Sequence, residues 1–519
     1  MIKCRKFSLT AIFVLLTIFA SNIYAKTVYV LEFNDFHGML YRNTIDDKAV
    51  PGALYFINTI LKEKQKFGLD KVVVVCDGDN YQGTIVSYET KGLPDNEMFK
   101  AVGVKVSAVG NHDFDWGQGN FIKWQKDGGF TYLAANIVDI KTQKCPDWCK
   151  PYEIVTVDGV KIAFIGLATL DTITTTSAKN LDGLKITDPW TAAQSWIDYL
   201  KEGKDPQGKP DVIVALTHIP SSQDADGKIN GEEINLLITK TKGLDAVLSG
   251  HSHLTVSGTI DNIPVVQAQC YGEKFGVLKI DIDDQTGKLV SIQSEVNDVA
   301  TIGEILPEND GAKMLAKYDG IEKKYSRVLG TTPGVPYDPQ TLSPLGVYMT
   351  KLMAEATNSQ IAIVNPFGIR GGLDKGNITV GDMFRISPFN NTLVSMKLTG
   401  AQVKKVMEYG LSGKVGCIQF YGLDIGIDSS KPVGQRIISM TLTDGKAVEM
   451  DKIYTLSTND FMSTGGDGYD FSGAVDMKTH NDLFVRDLMI KSIEKDKVLN
   501  LPPAEALKDI SMVENKQAA

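Results

Sequence analysis

The chain's 519 residues are enough for roughly two to four domains, and 43% hydrophobic with 23% charged residues is the balance of an ordinary globular protein. A formal charge of −9 argues against a nucleic-acid polymer as partner, since such binders lean basic; an anionic small molecule would have to be drawn in by local charge against the global field. Beyond the first 25 residues no apolar run approaches the ~20 residues needed to cross a bilayer, so no membrane span is expected.

Residues 1–25 have the layout of a secretory signal peptide: Lys3, Arg5 and Lys6, an apolar run over 7–20, and a small residue, Ala25, at the end. The mature protein is therefore expected to be periplasmic or secreted, and loss of the leader's three positive charges takes the formal charge from −9 to −12. Cys4 precedes the apolar run and is not placed to carry a lipid after cleavage. In an oxidising compartment Cys145-Pro-Asp-Trp-Cys149 reads as a short disulfide loop, with a redox-active pair as the alternative. Cys76, Cys270 and Cys417 stand in or beside apolar runs and read as buried thiols.

From residue 27 the chain alternates short apolar runs with helical stretches, the pattern of a layered α/β sandwich. The runs fall at 27–33, 72–76, 102–109, 132–137, 161–168, 211–216 and 244–248, with helices expected at 53–66 and 191–201 and closing strands between 263 and 282. Asp35 and His37 follow the first run two apart, so in an extended segment both side chains point the same way. Solvated loops also produce that pair by chance. Residues 72–76 read as a central parallel strand buried on both faces. They end in Asp77-Gly78-Asp79-Asn80, a turn sequence whose two acids would be poorly compensated without a cation. Gly110-Asn111-His112-Asp113-Phe114-Asp115, then His218, then Gly250-His251-Ser252-His253 follow later runs. His218 alone reads as readily as a core histidine. Yet five of the six histidines collect at strand ends, where open α/β sheets build their sites. Imidazole with carboxylate is the donor set of borderline divalent metals, so the pattern is that of a metal centre.

The first domain is expected over 26–300, a helical linker with a polar helix at 310–325 over 301–328, and a second domain over 329–515. The second contains a strand at 360–364, Gly368-Ile-Arg-Gly-Gly372, a helix at 401–409 introduced by Leu398-Thr-Gly400, and Gly465-Gly-Asp-Gly468.

In order, the first domain carries Asp-x-His, Gly-Asp, Gly-Asn-His-Asp, a lone His and Gly-His-x-His, each after a strand. This series resembles the calcineurin-like metallophosphoesterases. With Asn365-Pro-Phe-Gly-Ile-Arg370, Ser387-Pro-Phe389 and Gly465-Gly-Asp467 downstream, the chain resembles their 5'-nucleotidase branch over nearly its whole mature length. The resemblance implies an α/β protein, a four-layer α/β/β/α sandwich followed by an α/β substrate domain. It implies two divalent ions, drawn from Zn, Mn, Fe or Co. Asp35, His37, Asp79 and His253 would bind one, and Asp79, Asn111, His218 and His251 the other, with Asp79 shared. It also places His112, oriented by Asp115, over the transferring phosphoryl group, to stabilise charge or protonate the leaving oxygen.

In the second domain the resemblance gives Phe389 and Phe461 a nucleobase to sandwich, Asp467 the ribose hydroxyls, and Asn365 with Arg370 a polar pair in the same pocket. Each phenylalanine reads equally as core. The chain departs from the family in two places: residues 337–345 lack the arginines usual before the second domain's first helix, and Pro366 and Phe367 stand where glycines are usual. The implied activity is release of phosphate from a nucleotide by water activated between the two ions. The rivals are a 2',3'-cyclic-nucleotide phosphodiesterase with 3'-nucleotidase activity, a UDP-sugar or dinucleotide pyrophosphatase, a sulfur-compound hydrolase, and a non-catalytic surface binding protein. A scaffold that had lost its chemistry would be expected to erode the ligand set, which is complete here. The sequence sets no oligomeric state.

Overall fold

The computed structural model describes residues 25–45 and 48–511. The expected signal peptide, apart from Ala25, lies outside the described residues, as do 512–515 of the expected second domain.

The strands Ala25–Phe33, Val72–Cys76, Val104–Ala108 and Thr131–Leu133 pair in parallel in that order, and Lys274–Asp283 and Leu289–Asp298 extend the sheet antiparallel beyond the first strand. A second six-stranded sheet runs Thr255–Ile260, Ile263–Ala268, Ala246–Gly250, Val212–Pro220, Val160–Ala168, Tyr152–Val157, its four inner strands parallel. Strand alternation sorts the side chains into layers. Val28, Val30, Val73 and Val75 share a core with Phe164, Leu216 and Leu248 of the other sheet. Leu31, Phe33, Val74 and Cys76 belong instead with Phe56, Ile57 and Ile60 of the helix Gly52–Phe67. Beyond the second sheet, Ile165, Ala215 and Val247 pack with the helices Pro189–Lys201 and Glu232–Lys240. Helix, sheet, sheet and helix make the four expected layers. Each fully buried Val, Leu or Ile contributes roughly 1.5–3 kcal/mol, which fixes the strands and leaves chemistry to the loops at their ends.

Three expected elements differ in detail. Val102 closes the helix Leu93–Val102, and Gly103 at φ 82° turns the chain into the strand. The run at 132–137 divides into Thr131–Leu133 and Ile137–Asp139, because the Asn136 side chain takes over main-chain bonding, donating to the Ala168 and Thr187 carbonyls and accepting from the Ala168 amide. The polar stretch at 310–325 is two helices, Gly311–Ala316 and Asp319–Tyr325, divided where Lys317 and Tyr318 both bind Glu97. Cys145 and Cys149 are neighbouring free thiols, not the expected disulfide, and the Cys145 Sγ hydrogen is directed to the Ala134 carbonyl at 3.4 Å. Cys76, Cys270 and Cys417 are buried thiols.

The second domain is built on a five-stranded sheet ordered Gln419–Tyr421, Ile361–Val364, Ile453–Asn459, Thr392–Thr399, Val475–Phe484. Its helix Gly400–Gly410 starts on a capping box, Thr399 accepting from the Gln402 amide while the Gln402 side chain accepts from the Thr399 amide. Val403, Val406 and Met407 of that helix share a core with Ile363, Met396 and Leu456. The two domains meet across the strand ends of the first: Gln82 Nε2 donates to the Pro388 carbonyl at 3.0 Å, and the Tyr88 hydroxyl meets the Asn390 side chain. Among the described residues no helix is long and apolar enough to cross a membrane.

Candidate metal centre and substrate cleft

All seven predicted ligands lie at or just beyond the carboxyl ends of parallel strands. Asp35, His37, Asp79, His251 and His253 adopt left-handed backbone at φ between 49° and 70°. For a residue with a Cβ that conformation costs about 1 kcal/mol or more, and it persists only where the surroundings hold it. Here the loops hold one another. Gly78 lies so close to Gly110 that a Cβ on it would come within 2.6 Å of the Gly110 amide nitrogen, and a Cβ on Gly110 would strike Asp79 Oδ1. Asp113 ties the same loops, its carboxylate accepting from the Gly110, Asn80 and Asp79 amides at 2.9, 3.1 and 3.3 Å. Burial, with the Asp79 charge adding and the amides opposing, pushes Asp113 up to about 7. Asn34 fixes Asp35 from the other side, its side-chain amide donating to Oδ2 at 2.6 Å. Asp113 stands in a quoted motif, but a main-chain acceptor leaves no signature in sequence.

Two donor groups result, Asp35–His37–His253 and Asp79–His218–His251, each with its ligand atoms within 4.8 Å of one another. Asp79 Oδ2 is 3.0 Å from His218 Nε2 and 3.9 Å from His37 Nε2, so it faces both. Asp35 Oδ1 is 3.2 Å from His253 Nε2 and 3.7 Å from His37 Nε2. Asn111 Oδ1 joins the second group through His251 Nδ1 at 2.9 Å.

The donor chemistry fits cations. His37 Nδ1 and His218 Nδ1 donate to the main-chain carbonyls of Gln82 and Asp77 at 2.6 and 2.7 Å, which leaves each Nε2 lone pair aimed at carboxylates. His37 Nε2 and His253 Nε2 are 3.1 Å apart, while Asp35 Oδ1 and His218 Nε2 are buried without a hydrogen-bond partner. Lone pairs converging on anions demand positive charge between them. A proton on His218 Nε2 can answer the same demand in place of a cation. Burial alone would lower His218, but the Asp79 and Asp35 carboxylates push it up to about 10, whereas burial and the His218 charge hold His251 down at about 3. Against the cost of burial, His218 and His112 keep Asp79 well below the usual carboxylate range.

His112 stands beside the donor groups. Its amide donates to Asp79 Oδ1 at 2.8 Å and its Nδ1 donates to Asp115 Oδ2 at 2.8 Å. Burial would lower its imidazole, but the Asp115 and Asp79 charges raise it.

A cleft of about 1030 Å³ between the domains contains the rest. Asn365 Nδ2 donates to Asp467 Oδ2 at 2.8 Å, and Asn459 Nδ2 in turn donates to Asn365 Oδ1 at 3.1 Å. Asp467 takes a left-handed φ of 52°, and burial pushes its carboxyl up to about 6. Arg370 crosses the interface, its Nη2 lying 3.4 Å from His37 Nε2. Phe389 stacks on His112, ring centroids 5.4 Å apart at 22°, with the Arg370 guanidinium 5.9 Å above it. Phe461 lines the cleft with its ring against Gly466, where a Cβ would clash at 2.5 Å. Sequence reasoning missed three further cleft residues: Asp171, 3.9 Å from His251 Nε2; Tyr271, packed on His37 and His253; and Tyr409, whose hydroxyl donates to the Asp467 carbonyl at 2.8 Å. Asp171 and Tyr271 stand three residues past the strands that end at Ala168 and Ala268, in loops that carry none of the quoted motifs, and Tyr409 stands on the helix Gly400–Gly410.

Known proteins resemble the chain in sequence and in fold. The family model for calcineurin-like phosphoesterases matches residues 28–254, and that for the 5'-nucleotidase C-terminal domain matches residues 328–473. The endonuclease YhcR of Bacillus subtilis is 28% identical over 466 residues, covering 84% of this chain and 37% of its own length; the chain thus spans little more than a third of that relative. A 5'-nucleotidase of Vibrio vulnificus is 25% identical over 493 residues, covering 86% of each. The crystal structure of a 5'-nucleotidase precursor from Thermus thermophilus superposes with a TM-score of 0.78 at 23% identity, over 93% of this chain and 99% of that one, which shows a shared fold. The chain belongs to the 5'-nucleotidase family of the calcineurin-like phosphoesterases.

Proposed function

We propose that this chain is an exported, metal-dependent phosphohydrolase that releases phosphate from nucleotides, a 5'-nucleotidase in the first instance. The observation that carries the reading is the pair of donor groups facing one carboxylate, Asp79, beside the His112–Asp115 pair and under a second domain. Asp35, His37, Asp79 and His253 would hold one divalent cation, and Asp79, Asn111, His218 and His251 the other. Bound there, such cations neutralise phosphoryl charge and acidify water. The protein's own groups do the rest. Asp115 fixes the His112 tautomer, so Nε2 is free to carry a proton to the leaving oxygen. Arg370 offers a planar cation at the phosphoryl position, the Asn365–Asp467 pair presents acceptors for ribose hydroxyls, and Phe389 and Phe461 present ring faces for a base. The names of the matched relatives, 5'-nucleotidase and endonuclease, agree with phosphoester chemistry. Export rests on the composition of residues 1–25.

The test is phosphate release by the purified, metal-reconstituted mature chain against nucleoside 5'-, 3'- and 2',3'-cyclic phosphates, UDP-glucose and NAD. Highest kcat/KM on 5'-monophosphates is expected. Preference for a cyclic phosphate or a pyrophosphate would replace the substrate assignment, and no turnover of any of them would overturn the reading.

A further inference from the structure

Arg486, the second residue of the helix Val485–Asp496, is buried with its guanidinium directed at one loop. Nη1 donates to the Ser387 carbonyl at 2.8 Å and to that of Phe389 at 3.5 Å, and Nη2 donates to Asn390 Oδ1 at 2.7 Å. Its Cζ lies 3.5 Å from the Phe384 ring centroid, a cation–π contact. Burial draws its pKa down to about 10 against the Asp487 charge, so it remains a cation.

The loop so gripped joins the helix Val380–Ile386 to the strand Thr392–Thr399. It lies outside the sheet's ladder, so its carbonyls must find donors elsewhere. Its other side faces the first domain, where the Pro388 carbonyl accepts from Gln82 and Asn390 Nδ2 meets the Tyr88 hydroxyl. Because Asn390 Oδ1 is tied to Arg486, the amide end of that side chain is the one left for Tyr88. Between these anchors stands Phe389, its ring stacked on His112 with centroids 5.4 Å apart at 22°. A phenylalanine has two side-chain torsions, so fixing the main chain on both sides of it largely fixes where the ring stands. His112 needs such a neighbour. Asp115 restrains its imidazole at Nδ1 alone, a single hydrogen bond about which the ring can rock, and a contact on the ring face opposes that motion.

We propose that Arg486 is a positioning residue for the reaction: through its grip on the Ser387–Asn390 loop it seats the Phe389 ring on His112 and keeps Nε2 directed at the leaving oxygen. The role rests on the phosphohydrolase reading and on no particular substrate. As the ester P–O bond breaks, its electron pair stays on the leaving oxygen and the proton on Nε2 passes to it. Arg486 and Phe389 both belong to the second domain, which thus completes the orientation of a proton donor carried by the first.

The test compares kcat for two aryl phosphates on the metal-loaded full chain. p-Nitrophenolate departs readily without a proton, whereas phenolate is far more basic and needs one. Neither ester carries a base to stack, so their ratio reads the proton donor. Arg486→Met keeps the packing on Phe384 but donates no hydrogen bond. It should lower kcat for phenyl phosphate about tenfold more than for p-nitrophenyl phosphate, part of the roughly 10²- to 10⁴-fold that a general acid contributes. Arg486→Lys keeps the charge and can reach one acceptor, so it should recover part of the difference; its own smaller selective loss carries the test where the methionine variant does not fold. In a Phe389→Ala background, Arg486→Met should change the ratio no further, as for two residues acting as one unit. Equal loss on both esters, or none, or an undiminished effect without the Phe389 ring, overturns the positioning role and leaves the phosphohydrolase reading intact. No turnover of p-nitrophenyl phosphate by the wild type overturns both.

Discussion

Asp79 serves three neighbours at once, Oδ1 accepting from the His112 amide while Oδ2 faces His218 and His37. Asparagine tolerates the left-handed backbone at this position, so Asp79→Asn should keep the loop and remove the charge. Elemental analysis should then find fewer bound cations, with turnover lost in parallel; full metal content with near-normal rate would refute the shared-ligand assignment. His112→Ala makes the opposite demand. It should keep both cations and lose roughly 10²- to 10⁴-fold in kcat, the usual size of a general-acid contribution, and loss of metal would instead make His112 a ligand. Behind the site, Glu32 and Asp77 are fully buried, and no donor reaches any of their four carboxylate oxygens, so the pair must share a proton. Burial, opposed by the Asp77 hydrogen bond and aided by the Asp35 charge, pushes Glu32 up to about 8, against 4.5 for the unfolded chain. Between those values the folded chain binds more protons than the unfolded one, so this pair's contribution to stability falls as pH rises. Glu32→Gln carries a permanent donor in the same shape. Its metal-free melting temperature should equal or exceed that of the wild type at pH 8, with the gap closing by pH 5, and parallel curves would show that no proton is shared.

At the scale of elements, the strands were legible where apolar runs end abruptly in Asp, Asn or His, since a strand buried on both faces tolerates polar side chains only past its end. That is why the run at 72–76 and the His251–His253 pair could be placed from sequence, and six of the residues named there fall into two groups that could each hold a cation. Elements shaped by side-chain to main-chain bonds were not legible. Asn136 splits one expected strand and the grip of Lys317 and Tyr318 on Glu97 splits one expected helix, and neither partner is near in sequence. Phe389 shows the same limit: the motif located it, but its stacking on His112 emerges only when the domains meet. Phe461, at the start of the short helix Asp460–Ser463, keeps a ring at the cleft. A stacked base contributes roughly 1–3 kcal/mol, so Phe461→Ala should raise KM for a nucleoside 5'-monophosphate about tenfold more than KM for p-nitrophenyl phosphate. Equal shifts would mean that the ring is core.

Across the whole molecule, a net charge of −9 must be overcome locally wherever an anion is to bind, and the side chains that do so come from both domains. Arg370 is the clearest case, because it reaches from the second domain to His37 Nε2, an atom with one lone pair. A divalent cation seeks that same lone pair. The two are therefore thermodynamic antagonists, and by reciprocity whatever the cation costs the arginine, the arginine costs the cation. Arg370→Met should bind the first cation about fivefold more tightly by calorimetry while binding substrate more weakly; unchanged or weaker cation affinity would show that the arginine yields without cost. An anionic substrate reconciles the antagonists, since a phosphoryl group can accept from the guanidinium and face the cation together. Metal and substrate should accordingly each make the other bind more tightly, and the domain boundary becomes the place where that cooperation is set.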